Sequence, residues 1–157
     1  EIRGAILNDA LRDLDPAEPI LCAGTDSVLD AIDRLKNHRV HHGAVLIVDD
    51  EGKLEGIFTE RDILNRVLGR GLDLSGTVLS EVMTRDPVAL EAGDAIATAL
   101  HYMSVREFRN IPIVKGGKPI GIVFTQHFVK FIVSLFPERT LHLSEERLKQ
   151  PGRVDAG

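Results

Sequence analysis

The chain repeats itself, and that repetition constrains its fold more than any other feature. Pro19-Ile20-Leu21-Cys22-Ala23-Gly24-Thr25-Asp26-Ser27-Val28 and Pro87-Val88-Ala89-Leu90-Glu91-Ala92-Gly93-Asp94-Ala95-Ile96 are two versions of one segment. Pro19 and Pro87, Asp26 and Asp94, and Ala31 and Ala99 are each 68 positions apart. The offset is 66 between Val48 and Val114, and 65 between Lys53-Leu54-Glu55-Gly56 and Lys118-Pro119-Ile120-Gly121. The first copy therefore carries two extra residues near 37–43 and one more in its turn. Self-similarity of this kind marks one structural unit used twice. Each copy is too short to bury its own apolar faces well, so the two are expected to pack on each other.

Within each copy the hydrophobic period changes in a readable order. A short extended stretch, 20–23, leads through a Thr or Asp cap into residues 27–38, where Val28, Ala31, Ile32 and Leu35 fall at helical spacing. Ile96, Ala99, Leu100 and Met103 repeat that spacing. Two apolar runs follow, 44–48 and 54–58, joined by Asp49-Asp50-Glu51-Gly52. Their counterparts, 111–114 and 120–124, are joined by Lys115-Gly116-Gly117-Lys118. Glycine-bearing turns between β-branched runs predict hairpins. A second helix closes each copy, with Ile63, Leu64, Val67 and Leu68 in one and Val129, Ile132, Val133 and Phe136 in the other. The predicted unit is β-α-β-β-α, twice, in an α+β fold.

The expected organisation is an N-terminal helix over residues 1–15, a first motif over 16–76, a second over 77–136 and a charged tail over 137–157. Ile6, Ala10 and Leu14, spaced by four, predict one helix across 2–14. A polar connector, 69–75, and a short apolar segment, 78–83, lie between the copies. At 157 residues, with 43% hydrophobic and 27% charged, the chain has enough apolar surface for a core without staples. No apolar run approaches the roughly 20 residues of a bilayer-spanning helix. A net charge of −5 argues against general nucleic-acid binding, which depends on neutralising phosphates. Cys22 is the only cysteine, so no disulfide forms within one chain, which suits a reducing, cytoplasmic setting. The chain starts at Glu1 with no signal-peptide pattern, and the missing methionine suggests a piece of a longer protein with an effector domain elsewhere.

Three motifs bear a resemblance. Val82-Met83-Thr84-Arg85-Asp86-Pro87-Val88 is similar to the Met-Thr-x-x-Pro lead-in of cystathionine β-synthase (CBS) domains. Arg109-Asn110-Ile111-Pro112-Ile113-Val114 resembles their basic residue followed by a Leu/Ile-Pro-Val strand. Gly56-Ile57-Phe58-Thr59-Glu60-Arg61-Asp62 resembles their Gly-h-h-Thr/Ser-x-x-Asp nucleotide motif, where h is apolar. The likeness covers about residues 8–136. It implies a tandem CBS pair of the Bateman type: two pseudo-symmetric motifs that dimerise into a disc and bind adenosine compounds between the copies. Such a module is regulatory rather than catalytic. The ligand would be AMP, ADP, ATP or S-adenosylmethionine, with no resident cofactor.

The residues at the third motif support two readings. Thr59 ends a strand and Asp62 lies three residues on, the pattern of a capping box. An ionised carboxylate in the first helical turn is also an acceptor-only group suited to both hydroxyls of a ribose. Exposed helix-end amides and the Thr59 hydroxyl suit phosphate or ribose oxygens, and Gly56 permits close backbone approach. Arg109 is either a phosphate contact or a solvated strand-edge charge, and His41 and His42 are its first-copy counterparts. The resemblance implies an adenine seated against Ile20, Leu21 and Val45, with Ile57 and Arg61 completing the site. In the second copy Phe124 and His127 stand at the Thr and Asp positions, so that site is expected to be degenerate. A homodimer is expected, with no nucleic acid and no membrane insertion; the rival reading is a constitutive dimerisation module without ligand.

Other constellations are weaker. His38, His41 and His42 lack a cysteine or carboxylate to complete a metal site and suit a polar helix terminus. Cys22 has no base placed to activate it. Ser27 and Ser80 lack a nucleophile elbow, and Gly116-Gly117 lacks the lysine of a phosphate loop. No enzyme is expected.

Overall fold

The computed structural model describes residues 2–39 and 43–136. In chain order it comprises α1 (Ile2–Asn8), a 3-10 turn (Leu11–Leu14), β1 (Leu21–Ala23), α2 (Val28–Asn37), β2 (Ala44–Val48) and β3 (Leu54–Thr59). α3 (Glu60–Asp62) continues as a π turn (Ile63–Val67) and a 3-10 turn (Leu68–Arg70). Then come α4 (Leu79–Val82), β4 (Thr84–Arg85), β5 (Leu90–Glu91), α5 (Ile96–Arg106), β6 (Asn110–Lys115), β7 (Lys118–Phe124) and α6 (Thr125–Ser134). The repeated β-α-β-β-α order is present in both copies.

Each copy has its own sheet. The first runs β1-β2-β3-β4 and the second β5-β6-β7. In both, the lead-in strand pairs parallel with the next, and that strand forms an antiparallel hairpin with the third. Both hairpins carry a bulge at the same place, after Ile47 and after Ile113. The turns use the glycines the sequence marks: Gly52 at φ +81°, Gly116 at +57° and Gly117 at +78°, a region that L side chains avoid.

β2 explains why its residues are an unbroken apolar run. Val45 and Ile47 point into the first core, among Ile20, Val28, Ala31 and Phe58. Ala44 and Leu46 point the other way, into a seam with Ile57, Ile122 and Phe124. Because successive side chains face opposite sides of a strand, a strand covered on both faces cannot alternate with polar residues. The seam holds the two copies together.

The repeat extends further upstream than the sequence comparison reaches. Leu11 and Leu14 lie in the second core, with Ile96, Ile111 and Phe128, while Leu79, Val82 and Met83 lie in the first. Leu79 N–H donates to the Asp26 carbonyl (2.9 Å) and Leu11 N–H to the Asp94 carbonyl (2.8 Å), the same bond in each copy. Ala10 bridges Ala95 as Val78 bridges Ser27. Each lead-in segment thus completes the core of the copy it does not precede.

This exchange corrects the expectation of a single helix over 2–14. Ala10 is extended (φ −95°, ψ 161°), and the Asp9 carbonyl accepts from Ile96 N–H, 3.0 Å away, so pairing with the second copy breaks the helix. The closing helices bury only part of their apolar residues. Val67 and Phe128 are buried, whereas Leu64, Leu68, Val129, Val133 and Phe136 are exposed. Among the described residues no helix is long and apolar enough to cross a membrane.

Candidate functional site

β3 passes straight into α3. Thr59 stays extended (φ −115°, ψ 166°), so its side chain turns back on the first helical turn. Its Oγ1 accepts from Asp62 N–H at 3.3 Å. Asp62 Oδ2 accepts from Thr59 N–H at 2.9 Å and from the Thr59 hydroxyl at 3.1 Å. Asp62 Oδ1 lies 3.4 Å from Arg66 Nε, and the Asp62 side chain is only 14% exposed. A carboxylate has about four lone-pair sites. Two are taken on Oδ2 and one on Oδ1, leaving one on Oδ1 for an incoming hydroxyl. Accepting a second hydroxyl requires Thr59 O–H to rotate away.

Arg66 escaped the sequence reading. Its Nη1 donates to the carbonyls of Val82 (3.2 Å) and Met83 (2.9 Å), at the C-terminal end of α4. The signal for it was there: acid and base at i and i+4 on one helical run face each other.

The remaining site residues fall into three groups. Gly56 lies opposite Arg85 on β4, and a Cβ placed there would come 2.4 Å from Met83 Sδ and 3.1 Å from the Thr84 carbonyl oxygen. Its immediate neighbour is therefore the linker between the copies. Ile57 is buried in the seam. Ile20 and Val45 are enclosed in the first core, and the half-exposed Leu21 offers its carbonyl to Arg34.

The third group is basic. Arg61 and Arg109, one from each copy, line the same open cavity of about 580 Å³, with Thr125 beside them and Met103, Phe128 and Ile132 among its apolar walls. β2 and β6 start side by side, since a Cβ on Gly43 would lie 3.6 Å from the Asn110 side chain. His41 and His42 lie outside the described residues. Among the described residues no group of three or more His, Cys, Asp or Glu could hold a metal ion. Cys22 is buried, and burial raises its pKa, the opposite of what nucleophilic activation needs.

The second copy builds the same helix start from different chemistry. Phe124 N–H donates to His127 Nδ1 at 3.0 Å, and the two rings meet edge to face with centroids 4.2 Å apart. An Nδ1 that accepts must be unprotonated, so the cap requires the neutral ring. Burial lowers the His127 pKa from its ordinary value, and the charge of Lys130 acts in the same direction. His127 takes the place that Asp62 has in the first copy, and among the described residues the one carboxylate that acts on it, Asp15, comes from outside the helix and pulls its pKa the other way.

The sequence model of the CBS domain matches this chain at residues 11–69 and again at 79–134, most of its length. The chain belongs to the CBS-domain family. CBS domain-containing protein CBSCBSPB2 of Arabidopsis thaliana is 37% identical over 97 residues, covering 62% of this chain. The chain spans only 18% of that plant protein's length. YlbB of Bacillus subtilis is 33% identical over 114 residues, covering 72% of this chain and 75% of YlbB. Among solved structures, the CBS domain pair of MJ0100, crystallised with 5′-methylthioadenosine and S-adenosyl-L-methionine, shares the fold. It has a TM-score of 0.67 at 24% identity and covers 78% of this chain and 98% of its own. Each matched segment carries one β-α-β-β-α copy together with the lead-in that completes the other copy's core, so this chain is a CBS pair.

Proposed function

We propose that this CBS pair is a non-catalytic, ligand-sensing regulatory module that binds an adenosine compound at the Thr59–Asp62 helix start. The observation that carries the reading is the spare lone pair on Asp62 Oδ1, one residue along the chain from Arg61, which lines an open cavity together with Arg109 of the second copy. The acid would accept a ribose hydroxyl, and the arginines would face the phosphates of AMP, ADP or ATP. S-adenosylmethionine offers the same ribose without phosphates, and the ligand complexes of the MJ0100 pair lend support to this ligand class. Binding acts through differential affinity for two arrangements of the copies, and the output lies in an effector domain or partner protein.

A homodimer is part of this reading. Leu64 and Leu68 are 63% and 55% exposed, and Val129 and Val133, their counterparts at an offset of 65, are 56% and 41% exposed. Both copies thus leave the same apolar helix positions bare, a stripe suited to a second copy. We place the module in the cytoplasm, in keeping with its single, buried cysteine.

One observation favours the rival reading, a dimerisation module without ligand: Asp62 is already engaged by Thr59 and Arg66. A thermal-shift panel of AMP, ADP, ATP, S-adenosylmethionine, NAD⁺ and GMP separates the two. At a hundred times Kd, a native-state ligand adds about 2.7 kcal/mol, or roughly 5–10 °C for a chain of this size. Asp62→Ala should weaken binding about ten- to a hundredfold. Flat curves for every adenosine compound would leave only the structural reading.

A further inference from the structure

We propose that Arg66 is a positioning residue that relays the state of the Asp62 carboxylate to the linker entering the second copy. One guanidinium holds both ends. Its Nε faces Asp62 Oδ1 at 3.4 Å, and its Nη1 donates to the Val82 and Met83 carbonyls at 3.2 and 2.9 Å. Those carbonyls end α4, where helix geometry leaves acceptors without intrahelical donors. The rigid fork of an arginine spans such acceptors at once, which a lysine ammonium cannot do.

The far end of the relay is held tightly. Met83 is buried in the first core, and its sulfur lies over Gly56 with no room for a Cβ between them. Immediately after it, Thr84 and Arg85 pair with Ile57 and Gly56, and Asp86 N–H donates to the Glu55 carbonyl at 3.2 Å. The chain then leaves for β5 of the second sheet. A hydroxyl arriving at the remaining lone pair of Asp62 Oδ1 shares that oxygen with Arg66 and weakens its hold on the guanidinium, which passes the change to the linker entering the second copy.

The second copy supplies an internal control. At the offset of 65, Arg66 corresponds to Phe131, which packs on the second core, and Asp62 corresponds to His127. The fold therefore does not require a cation at this position. It appears where the acid appears, in the first copy alone.

The relay takes its input from the ligand reading above, so the test has two arms on the full chain. The first is ligand-free: hydrogen exchange at the Met83 and Asp86 amides in Asp62→Asn, Arg66→Gln and the double variant. Each single variant should speed exchange by about tenfold, the loss of a charge-assisted contact. The double should be no faster than the faster single. The Ile122 amide, bonded to Ala17 in the second copy, should not respond. Additive effects, or unchanged exchange at Met83, would overturn the relay.

The second arm uses AMP, ATP and S-adenosylmethionine as probes. A binder should change exchange at Met83 and Asp86 in the wild type, and Arg66→Gln should bind it yet lose that change. A response retained in Arg66→Gln would also overturn the relay. Arg66→Lys, which keeps the charge but not the fork, should be intermediate in both arms and guards against a glutamine variant that folds poorly. If none of the three compounds binds the wild type, the ligand reading fails, and the coupling in the first arm decides whether Arg66 links Asp62 to the linker.

Discussion

Replacing Gly56 by alanine should destabilise the protein by about 2 kcal/mol. The added Cβ would sit 2.4 Å from Met83 Sδ, 3.0 Å from its Cγ and 3.1 Å from the Thr84 carbonyl oxygen. The sulfur end could swing aside in open space, but Met83 is packed in the first core and the carbonyl is backbone in a paired strand. Overpacking of this kind costs about 1–3 kcal/mol, and two obstructions place Gly56 near the top of that range. Against this, losing a glycine restricts the unfolded chain and returns about 0.4–1 kcal/mol. The net of about 2 kcal/mol lowers Tm by roughly 4–8 °C in a chain of this size. Urea unfolding of the wild type, Gly56→Ala, Met83→Ala and the double variant provides the assay. Met83→Ala alone should cost about 2–5 kcal/mol by leaving a cavity. The double should fall short of the sum by about 1 kcal/mol or more, because the new methyl occupies part of that cavity. A neutral Gly56→Ala, or strictly additive values, would refute the packing argument and return Gly56 to the role of clearing space for a ligand.

Two further predictions concern the second copy and the surface. His127 is held neutral by burial, while in the unfolded chain it titrates near the ordinary value of about 6.5. On acidification the unfolded chain takes the proton first, so the contribution of His127 is complete above about pH 6.5 and declines as the pH falls through the lower, folded-state value. The urea midpoint of the wild type should therefore drop further between pH 7.5 and 5.5 than that of His127→Asn, whose amide oxygen accepts at both values; parallel curves would sink the argument. For the surface, the proposed homodimer implies that the wild type sediments as a dimer, and that Leu64→Lys with Val129→Lys leaves monomer stability within about 0.5 kcal/mol and sediments as a monomer. A double variant that sediments as the wild type does would show that the stripe is not the dimer contact.

Most of the fold is legible in the sequence because the repeat provides an internal alignment. The hairpins announce themselves through Gly52 and Gly116-Gly117, and α2 and α5 through apolar spacing. What fails to show is local pattern overridden by distant pairing. Ile6, Ala10 and Leu14 are spaced as one helix, yet Ala10 is drawn into a bridge with Ala95, a partner that no local window contains. The closing helices mislead for another reason: their apolar residues exceed what one core can cover, so periodicity alone cannot separate Val67 from Leu64. At the site, the Thr59–Asp62 pair is readable because capping is local. The tie from Arg66 to Val82 and Met83 is not, since it spans elements whose proximity only the tertiary structure creates. The repeat does put His127 at the acid's position; what spacing does not show is that its Nδ1 accepts from Phe124 N–H.

The exchanged lead-in segments make each half of this chain the keeper of the other's interior. Cleavage in the connector at residues 69–75 would yield two pieces, each carrying the plug that the other lacks: Leu11 and Leu14 in one, Leu79, Val82 and Met83 in the other. Neither piece would close its own core, yet mixed together they should reassemble as a clasped pair, since every contact except the severed connector would still be available. One copy expressed alone could satisfy its interior only by lending its plug to a twin. The covalent pair is thus the fused form of a reciprocal embrace, and a truncation made at the apparent boundary between the copies would cut through both interiors.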